Sequence, residues 1–167
     1  MAAESAVKLV NRTEESHDAS QVAAKLKQVL VKAENEKLKK EKLIAKYKAG
    51  NVPSSAVLAQ LRLIMNDAMG IERNEKQILE GISKINVLIG KIQDMGPGDL
   101  DETEPLMTGN MLYLAKAMLL SASERKETRG AHIRKDYPHT DNQNFRKTTV
   151  ASYFNDGTID IAFKEVL

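Results

Sequence analysis

Residues 124–138 read Glu-Arg-Lys-Glu-Thr-Arg-Gly-Ala-His-Ile-Arg-Lys-Asp-Tyr-Pro, and this stretch divides the sequence into two kinds of structure. An apolar helical pattern stops here, a dense alternation of charges begins, and Gly130 interrupts it. A single aromatic residue precedes Tyr113, whereas the six from Tyr113 onward lie in the last third of the chain. The stretch therefore predicts a junction between a helical region and a region of strands and turns.

The composition limits the classes of protein to which the chain can belong. At 167 residues, with 42% hydrophobic and 29% charged residues, it is long enough for one domain with a core and an appendage. The absence of cysteine excludes disulfides, thiolate metal sites and cysteine nucleophiles. No apolar run reaches the roughly 20 residues of a membrane span, and no signal segment opens the chain. We therefore expect a cytoplasmic protein without a membrane span.

A lysine-rich helix is predicted from Gln21 to Lys48, with Ser20 as its N-cap and Gly50 as its stop. Residues 21–48 contain nine lysines and three glutamates. Their lysine face has two interpretations: it is a surface for an anionic partner, or a solvated face whose lysine stems cover apolar surface. Because arginines and interleaved aromatic residues are missing, we expect no nucleic acid as a partner.

Three more helical stretches are predicted between residues 54 and 124. A capping serine after Pro53 begins the first, Gly70 interrupts the pattern without necessarily ending it, and the next stretch stops at Gly96-Pro97-Gly98. An acidic loop at residues 99–104 precedes the last helix, which begins near Pro105. The apolar residues of that helix are expected in the core: Met107, Met111, Leu114, Ala115, Met118, Leu119 and Ala122.

A β-hairpin is predicted at the end of the chain, after a loop at residues 141–144. Asn155-Asp156-Gly157 lies between two strand-like runs, from Phe145 to Phe154 and from Thr158 to Phe163. Asp-Gly between β-branched and aromatic residues favours a tight hairpin turn, because both residues tolerate the left-handed backbone that such turns need.

The charged stretch has two interpretations from its chemistry alone. His132, Asp136 and His139 have a possible spacing for a metal site, but the set lacks a clear fourth ligand. A network of arginines and carboxylates that orders the junction is the default interpretation. The candidate network consists of Arg125, Glu127, Arg129, His132, Arg134 and Asp136.

This same stretch resembles the signature of the C-terminal domain of succinate dehydrogenase and fumarate reductase flavoproteins, which L-aspartate oxidase shares in weaker form. The usual signature is Arg-Lys-Glu-Ser-Arg-Gly-Ala-His, followed by arginine, aspartate and an aromatic residue before proline. Thr128 stands where the family usually has serine, and it keeps the hydroxyl group.

The resemblance extends over residues 57–165. It includes a helix with a methionine and a Gly-Ile-x-Arg-x-Glu element, the helix before the signature, and the opening of the final strand. The matching residues are Leu61, Arg62, Met65, Gly70, Ile71, Arg73, Glu75, Asn110-Met111-Leu112, Leu114-Ala115 and Phe145-Arg146-Lys147-Thr148. The lysine-rich helix, assigned to residues 21–50, fits poorly and is expected to be an insertion.

The resemblance implies a flavoprotein whose FAD-binding and capping domains lie upstream of this domain. In an intact family enzyme, hydride passes between reduced flavin and an unsaturated dicarboxylate such as fumarate, and an arginine donates the proton. No G-x-G-x-x-G fingerprint occurs here. The alanine-rich residues 1–20 resemble the last helix of an FAD domain, although a flexible tail is the simpler interpretation. We expect no FAD, metal or catalytic residue in this chain alone, and FAD in the intact enzyme.

The fold predicted from these observations is mainly α. Residues 54–167 are expected to form a three-helix bundle, similar to a spectrin repeat, with a terminal β-hairpin, preceded by the additional long helix. By resemblance, the chain is the C-terminal helical domain or a fragment of an FAD-dependent oxidoreductase in electron transport. Its expected partners are an FAD-binding flavoprotein portion and an iron–sulfur subunit, which would associate it with a membrane. The alternative is a stand-alone helical module whose basic helix binds an anionic partner.

Overall fold

A computed structural model describes residues 19–47, 50–97 and 103–165. The expectations for residues 1–18 and for the acidic segment 99–102 lie outside these described residues. The chain divides into two units, residues 1–43 and residues 44–167. The charged stretch belongs to the second unit.

Helix α1 (Ala19–Tyr47) accounts for the described part of the first unit and continues into the second. Its presence confirms the predicted lysine-rich helix, but it includes Ser20, so the prediction of Ser20 as its N-cap is wrong. The side chains of residues 23–42 are all exposed. Ion pairs one turn apart, such as Lys39 with Glu36 at 2.8 Å, join exposed side chains and add little to stability, because solvent screens them.

Three helices form the bundle of the second unit: α2 (Ser54–Ala68), α3 (Glu75–Gly90) and α4 (Glu104–Glu124). All three meet in a tight contact at Gly81 of α3, where an added Cβ would lie 2.6 Å from the Ala68 Cβ and 3.2 Å from a Leu119 methyl group. Apolar side chains from all three helices and the following turn form one core: Val57, Leu61, Ala68, Ile78, Ile85, Leu88, Ile92, Met95, Leu112, Ala115, Leu119 and Ala122. The mainly helical fold class is confirmed.

Several predicted helix boundaries change. Gly70 does separate two helices, because α2 ends at Ala68 and α3 begins anew after Asn74, whose side chain caps it by accepting from the Gln77 amide. Ser54 is the first residue of α2 and makes no cap, since Pro53 holds the cap position. After α3 a short 3₁₀ helix, Ile92–Asp94, leads towards Gly96. The interruptions were visible in the sequence, but their capping residues were not.

Short strands connect the ends of the helices. Strand β1 (Val52–Pro53) pairs in parallel with β3 (Met95–Gly96), and β2 (Glu72–Arg73) pairs in parallel with β4 (Ile133–Arg134). The two chain segments in each pair are far apart in sequence. The strands therefore tie the loops of the bundle together.

The predicted hairpin is confirmed as β5 (Lys147–Tyr153) paired antiparallel with β6 (Ile159–Glu165). Its turn lies at Asn155-Asp156-Gly157, where the Gly157 amide donates to the Phe154 carbonyl at 2.9 Å. The loop expected at residues 141–144 is instead largely a one-turn helix, α5 (Asn142–Phe145), capped by Asp141. The capping carboxylate explains the difference, since it satisfies the Asn144 amide at 3.0 Å.

Helix α4 has three different faces. One face is buried in the core through residues such as Leu112 and Leu119, and another carries Tyr113, whose ring packs edge-on against Tyr153 of the hairpin at 5.0 Å between centroids. The third face is apolar yet exposed, and it consists of Met107, Met111, Leu114 and Met118. The prediction that these four residues lie in the core is therefore wrong. Because α4 is apolar around most of its circumference, the spacing of its apolar residues does not show which side of the helix is buried.

Candidate functional site

The charged stretch begins where α4 ends and returns to the connection between α2 and α3. In the β2–β4 pair, Glu72 lies opposite Ile133 and Arg73 opposite Arg134. The Lys135 amide continues this pairing by donating to the Arg73 carbonyl at 2.9 Å. The pairing brings the two halves of the second unit into one polar site.

Thr128 holds the loop of this site closed. Its hydroxyl accepts from the Arg134 amide at 2.9 Å and donates to the Tyr137 carbonyl at 2.9 Å. Between them, Arg129 and His132 exchange backbone hydrogen bonds across a tight turn in which Gly130 has a φ of 56°. Serine or threonine serves at position 128 because either supplies the hydroxyl, and glycine serves at position 130 because it adopts the left-handed backbone without strain.

The Glu127 cluster consists of Arg125, Glu127 and Arg129. Glu127 is fully buried and accepts from Arg125 Nη1 at 2.6 Å, from Arg129 Nε and Nη2 at 2.8 and 2.9 Å, and from the Asp141 amide at 2.9 Å. Burial raises the pKa of Glu127, but these hydrogen bonds outweigh it and hold the pKa below its usual value. Glu127 is therefore an ionised carboxylate that four donors hold in place.

Arg125 joins this cluster to the hairpin. Its guanidinium donates to the carbonyls of Phe145 and Lys147 at 2.8 and 2.6 Å and to the Thr149 hydroxyl at 2.8 Å. It also lies 5.4 Å from the centre of the Phe163 ring. One side chain at the end of α4 therefore fixes the position of both hairpin strands.

The Arg134 cluster consists of Glu75, Arg134 and Asp136. Arg134 is fully buried and makes a two-pronged ion pair with Asp136, in which Nε and Nη2 each donate at 2.8 Å. It also donates to Glu75 at the start of α3 and to the Ala122 carbonyl near the end of α4, the latter at 2.6 Å. Hydrogen bonds from Arg134 lower the pKa of Asp136 to about 2. Two helix ends and the loop are thereby joined at one guanidinium.

His132 and Arg73 lie between the two clusters. His132 is half-buried, and its Nε2 lies 2.9 Å from the Arg125 carbonyl, to which a neutral ring donates. Burial lowers the pKa of His132, and the neighbouring arginines lower it further, although the hydrogen bond opposes them. Arg73 is 7% exposed and donates to the Ala131 carbonyl at 2.8 Å. Burial, together with Arg134, lowers the pKa of Arg73.

All six residues predicted for the network lie in this site, divided between the two clusters, with His132 between them. Sequence reasoning missed Arg73 and Glu75 as members, although both belong to the Gly-Ile-x-Arg-x-Glu element, which was the available signal. The alternative of a metal site is not supported, since the described residues contain no group of three potential ligands. The arrangement holds arginines and carboxylates against one another and against backbone carbonyls, so its chemistry is to order loops. Whether it faces another domain stays a prediction.

The chain matches a protein-family model described as the fumarate reductase flavoprotein C-terminal domain, over residues 58–167. It is 34% identical over 119 residues to a succinate dehydrogenase flavoprotein subunit from Coxiella burnetii, covering 67% of this chain and 20% of the relative. It is 32% identical over 123 residues to a fumarate reductase flavoprotein subunit from Haemophilus influenzae, covering 70% and 20%.

A solved structure of Escherichia coli quinol fumarate reductase is also similar, with a TM-score of 0.68 and 25% identity. The match covers 93% of this chain and 26% of that chain. The chain thus spans about a fifth to a quarter of the length of the proteins it matches. Whether α1 is an insertion stays a prediction. No helix among the described residues has the length and apolarity that crossing a membrane requires.

Proposed function

The chain belongs to the fumarate reductase flavoprotein C-terminal family. We propose that it packs against a separate FAD-binding portion of a fumarate reductase or succinate dehydrogenase type flavoprotein. It completes and stabilises that portion and catalyses nothing alone. FAD and the hydride transfer to or from a dicarboxylate belong to the intact flavoprotein.

The exposed face of α4 carries this proposal. Met107, Met111, Leu114 and Met118 are spaced by four, three and four residues, which places them along one side of the helix. Met107 and Leu114 are 58% and 62% exposed. A helix that is apolar on nearly all sides belongs in the interior of a larger protein, and methionine adapts readily to a partner surface. A flavoprotein portion about three times as long as this chain is a suitable partner.

The Glu127 and Arg134 clusters support the proposed docking by ordering the loops of this chain. Glu127 and Arg134 are fully buried within the chain, so they order the loops and do not themselves touch a partner. Arg129, whose side chain is 37% exposed, is the member best placed to contact the partner. Replacing it with alanine should weaken association, and unchanged affinity would remove it from the interface.

Assembly with further subunits follows from the same proposal. An iron–sulfur subunit would receive electrons from the flavoprotein, or supply them, and would associate the complex with the membrane. The chain then takes part in electron transport at the cytoplasmic side. Copurification of an iron–sulfur subunit with the assembled flavoprotein checks this step.

The apolar face is tested by paired substitutions of Met111→Glu and Met118→Glu. Placing two carboxylates on a surface that packs against a partner should reduce binding to the FAD-bound flavoprotein portion at least a hundredfold, because each charge would be desolvated without a counterion. Pull-down with the source organism's own FAD-binding chain measures this. The control is Val87→Glu, at a similarly exposed position of α3.

Circular dichroism should show both variants folded. Equal binding by the Met111 and Met118 double variant and the wild-type chain would contradict docking through α4. Failure of the wild-type chain to bind would contradict the proposed function itself.

A second candidate function rests on α1. Its side chains are exposed from residue 23 to residue 42, and they include both lysines and large apolar residues, with Val29 64% and Leu30 58% exposed. A basic amphipathic helix of this kind suits an anionic surface. Sedimentation with anionic lipid vesicles at increasing salt tests it, because electrostatic binding weakens steeply with ionic strength. Salt-independent or absent binding would leave α1 as a solvated face.

A further inference from the structure

One arginine of the polar site, Arg73, has no carboxylate within salt-bridge distance among the described residues. The other three, Arg125, Arg129 and Arg134, pair with Glu75, Glu127 and Asp136, and Asp141 also acts electrostatically on Arg129. His132, which lies beside Arg73, adds no negative charge. Arg73 is therefore a buried cation without a counterion in the described part of the chain.

The hydrogen bonds of Arg73 are also incomplete. A guanidinium has five N–H donors. Nη2 has one good acceptor, the Ala131 carbonyl at 2.8 Å, and a distant one, the Ile71 carbonyl at 3.5 Å. Among the described residues, Nη1 has only the Met69 sulfur at 3.8 Å, which is a weak acceptor, and Nε is buried with no partner. Buried charged donors are normally satisfied, so this set is arranged for an acceptor from elsewhere.

A large apolar side chain is exposed close to Arg73 in the sequence. Ile71 lies two residues away and is 81% exposed, more than any other large apolar side chain that the structure describes. A small anion in solution would gain nothing from this residue, whereas a polypeptide partner would bury it. An exposed isoleucine beside an unmatched arginine has the character of an interface anchor, with an apolar contact and a charge-assisted hydrogen bond side by side.

We propose that Arg73 and Ile71 form a docking point for a polypeptide carboxylate, the side chain of an aspartate or glutamate on the FAD-binding portion of the flavoprotein. The inference rests on the proposed function, and it adds the chemistry of the partner residue and its location on this chain. On docking, the carboxylate approaches the guanidinium through the 7% of Arg73 that is exposed, Arg73 gains a counterion, and Ile71 is buried. Arg73 thus contributes to association and not to the stability of the free chain.

The first test compares thermal unfolding of the isolated chain in two variants, Arg73→Met and Arg134→Met. Arg134 has two carboxylate partners, so its removal should lower the Tm by many degrees. Removal of Arg73 should leave the Tm unchanged or raise it, because an unmatched buried charge is relieved. A fall as large as that of the Arg134 variant would show that Arg73 already has its partner within the chain and would overturn the proposal.

The second test measures binding to the source organism's FAD-bound flavoprotein chain by calorimetry. Arg73→Met should weaken the Kd about thirtyfold or more, as truncation of a buried interfacial charge does, and Ile71→Ser should also weaken it. Arg62→Met is the control, because Arg62 is an exposed arginine of α2. If wild-type affinity persists in the Arg73 and Ile71 variants, the inference fails while the proposed function stands. If the wild-type chain does not bind, both fail.

A third measurement separates the two sources of a carboxylate. Succinate is added to the isolated wild-type chain and to the Arg73→Met variant, and the Tm of each is followed. The proposal predicts no difference between the two responses. A rise in Tm that occurs in the wild-type chain and is lost in the variant would identify a small-anion site and overturn the assignment to a polypeptide.

Discussion

Glu127 and Arg134 are fully buried charges, and each is stabilised by surrounding it with partners. Glu127 accepts four hydrogen bonds, and Arg134 binds two carboxylates and backbone carbonyls from the end of α4. A buried ion pair adds little net stability compared with an apolar core. Removing one partner is costly, however, because the other charge stays buried and its desolvation is no longer offset. These two residues therefore have few tolerated replacements.

Glu127→Gln should destabilise the chain by about 3 kcal/mol or more, because it leaves Arg125 and Arg129 without their buried carboxylate. The same loss should release the hairpin strands that Arg125 holds. Urea unfolding followed by circular dichroism measures the change. Glu80→Gln, at an exposed position of α3, is the control and should change stability by less than about 0.5 kcal/mol. Equal effects of the two substitutions would contradict a structural role for Glu127.

Asp136 predicts an acid-dependent loss of stability. Its pKa is lowered from 3.8 to about 2 in the folded chain. Because this pKa is lower in the folded chain, the unfolded chain binds the proton at a higher pH. The ionised Asp136 therefore stabilises the folded chain above pH 3.8, and this stabilisation is lost as the pH falls towards about 2. The loss should be about 1 kcal/mol, since solvent screens this partly exposed carboxylate.

Asp136→Asn should remove this dependence. At neutral pH the variant should be less stable than the wild-type chain, and the difference should shrink as the pH falls through the same window. Stability measured by urea unfolding across that pH range compares the two chains. A difference that does not change with pH would show that the Asp136 charge makes no contribution.

The three bundle helices pack tightly around Gly81, which leaves no room for a Cβ. Gly81→Ala should destabilise the chain by about 1–3 kcal/mol, because its Cβ would overlap Ala68, even though alanine favours helix. Gly90→Ala is the matched control, since nothing lies within 4 Å of its Cβ position, and it should stabilise α3 by up to about 1 kcal/mol. Opposite signs in thermal unfolding are expected, and stabilisation by both would contradict the close packing.

The elements also show what sequence patterns can and cannot predict. The hairpin was predictable because Asp156 and Gly157 favour a particular turn between strand-forming residues. The face of α4 was not, because Met111 and Met118 follow the same apolar spacing as the core residues, and spacing alone does not show which apolar side meets a neighbour. The exposed methionine face had to be read from the packing.

The polar site joins segments of the molecule that are far apart in sequence. Arg134 and Glu75 are 59 residues apart, and the parallel pairing of β2 with β4 helps to bring them together. No local pattern contains that pairing, so sequence reasoning found the charges of residues 125–136 but missed Arg73 and Glu75 as their neighbours. The family resemblance was visible because it rests on residue identities at both segments, which do not require the pairing to be known.

The family relationship also sets the expected behaviour of the molecule. The chain covers about a fifth to a quarter of its flavoprotein relatives, carries an uncovered apolar helix face, and has a buried arginine without a carboxylate in the described residues. The exposed helix face and the arginine without a carboxylate are the features expected of a surface that docks on another polypeptide, as we propose for the FAD-binding portion.

Sedimentation velocity, followed by the visible absorbance of the flavin, tests whether the chain docks to the FAD-binding portion. The isolated chain mixed with FAD should leave the flavin in the free, slowly sedimenting fraction. Mixed with the FAD-bound flavoprotein portion, it should raise the sedimentation coefficient of the flavin boundary by the amount expected for one added chain of 18.5 kDa. An unshifted boundary would contradict the docking, and flavin that sediments with the isolated chain would show that the chain binds FAD alone.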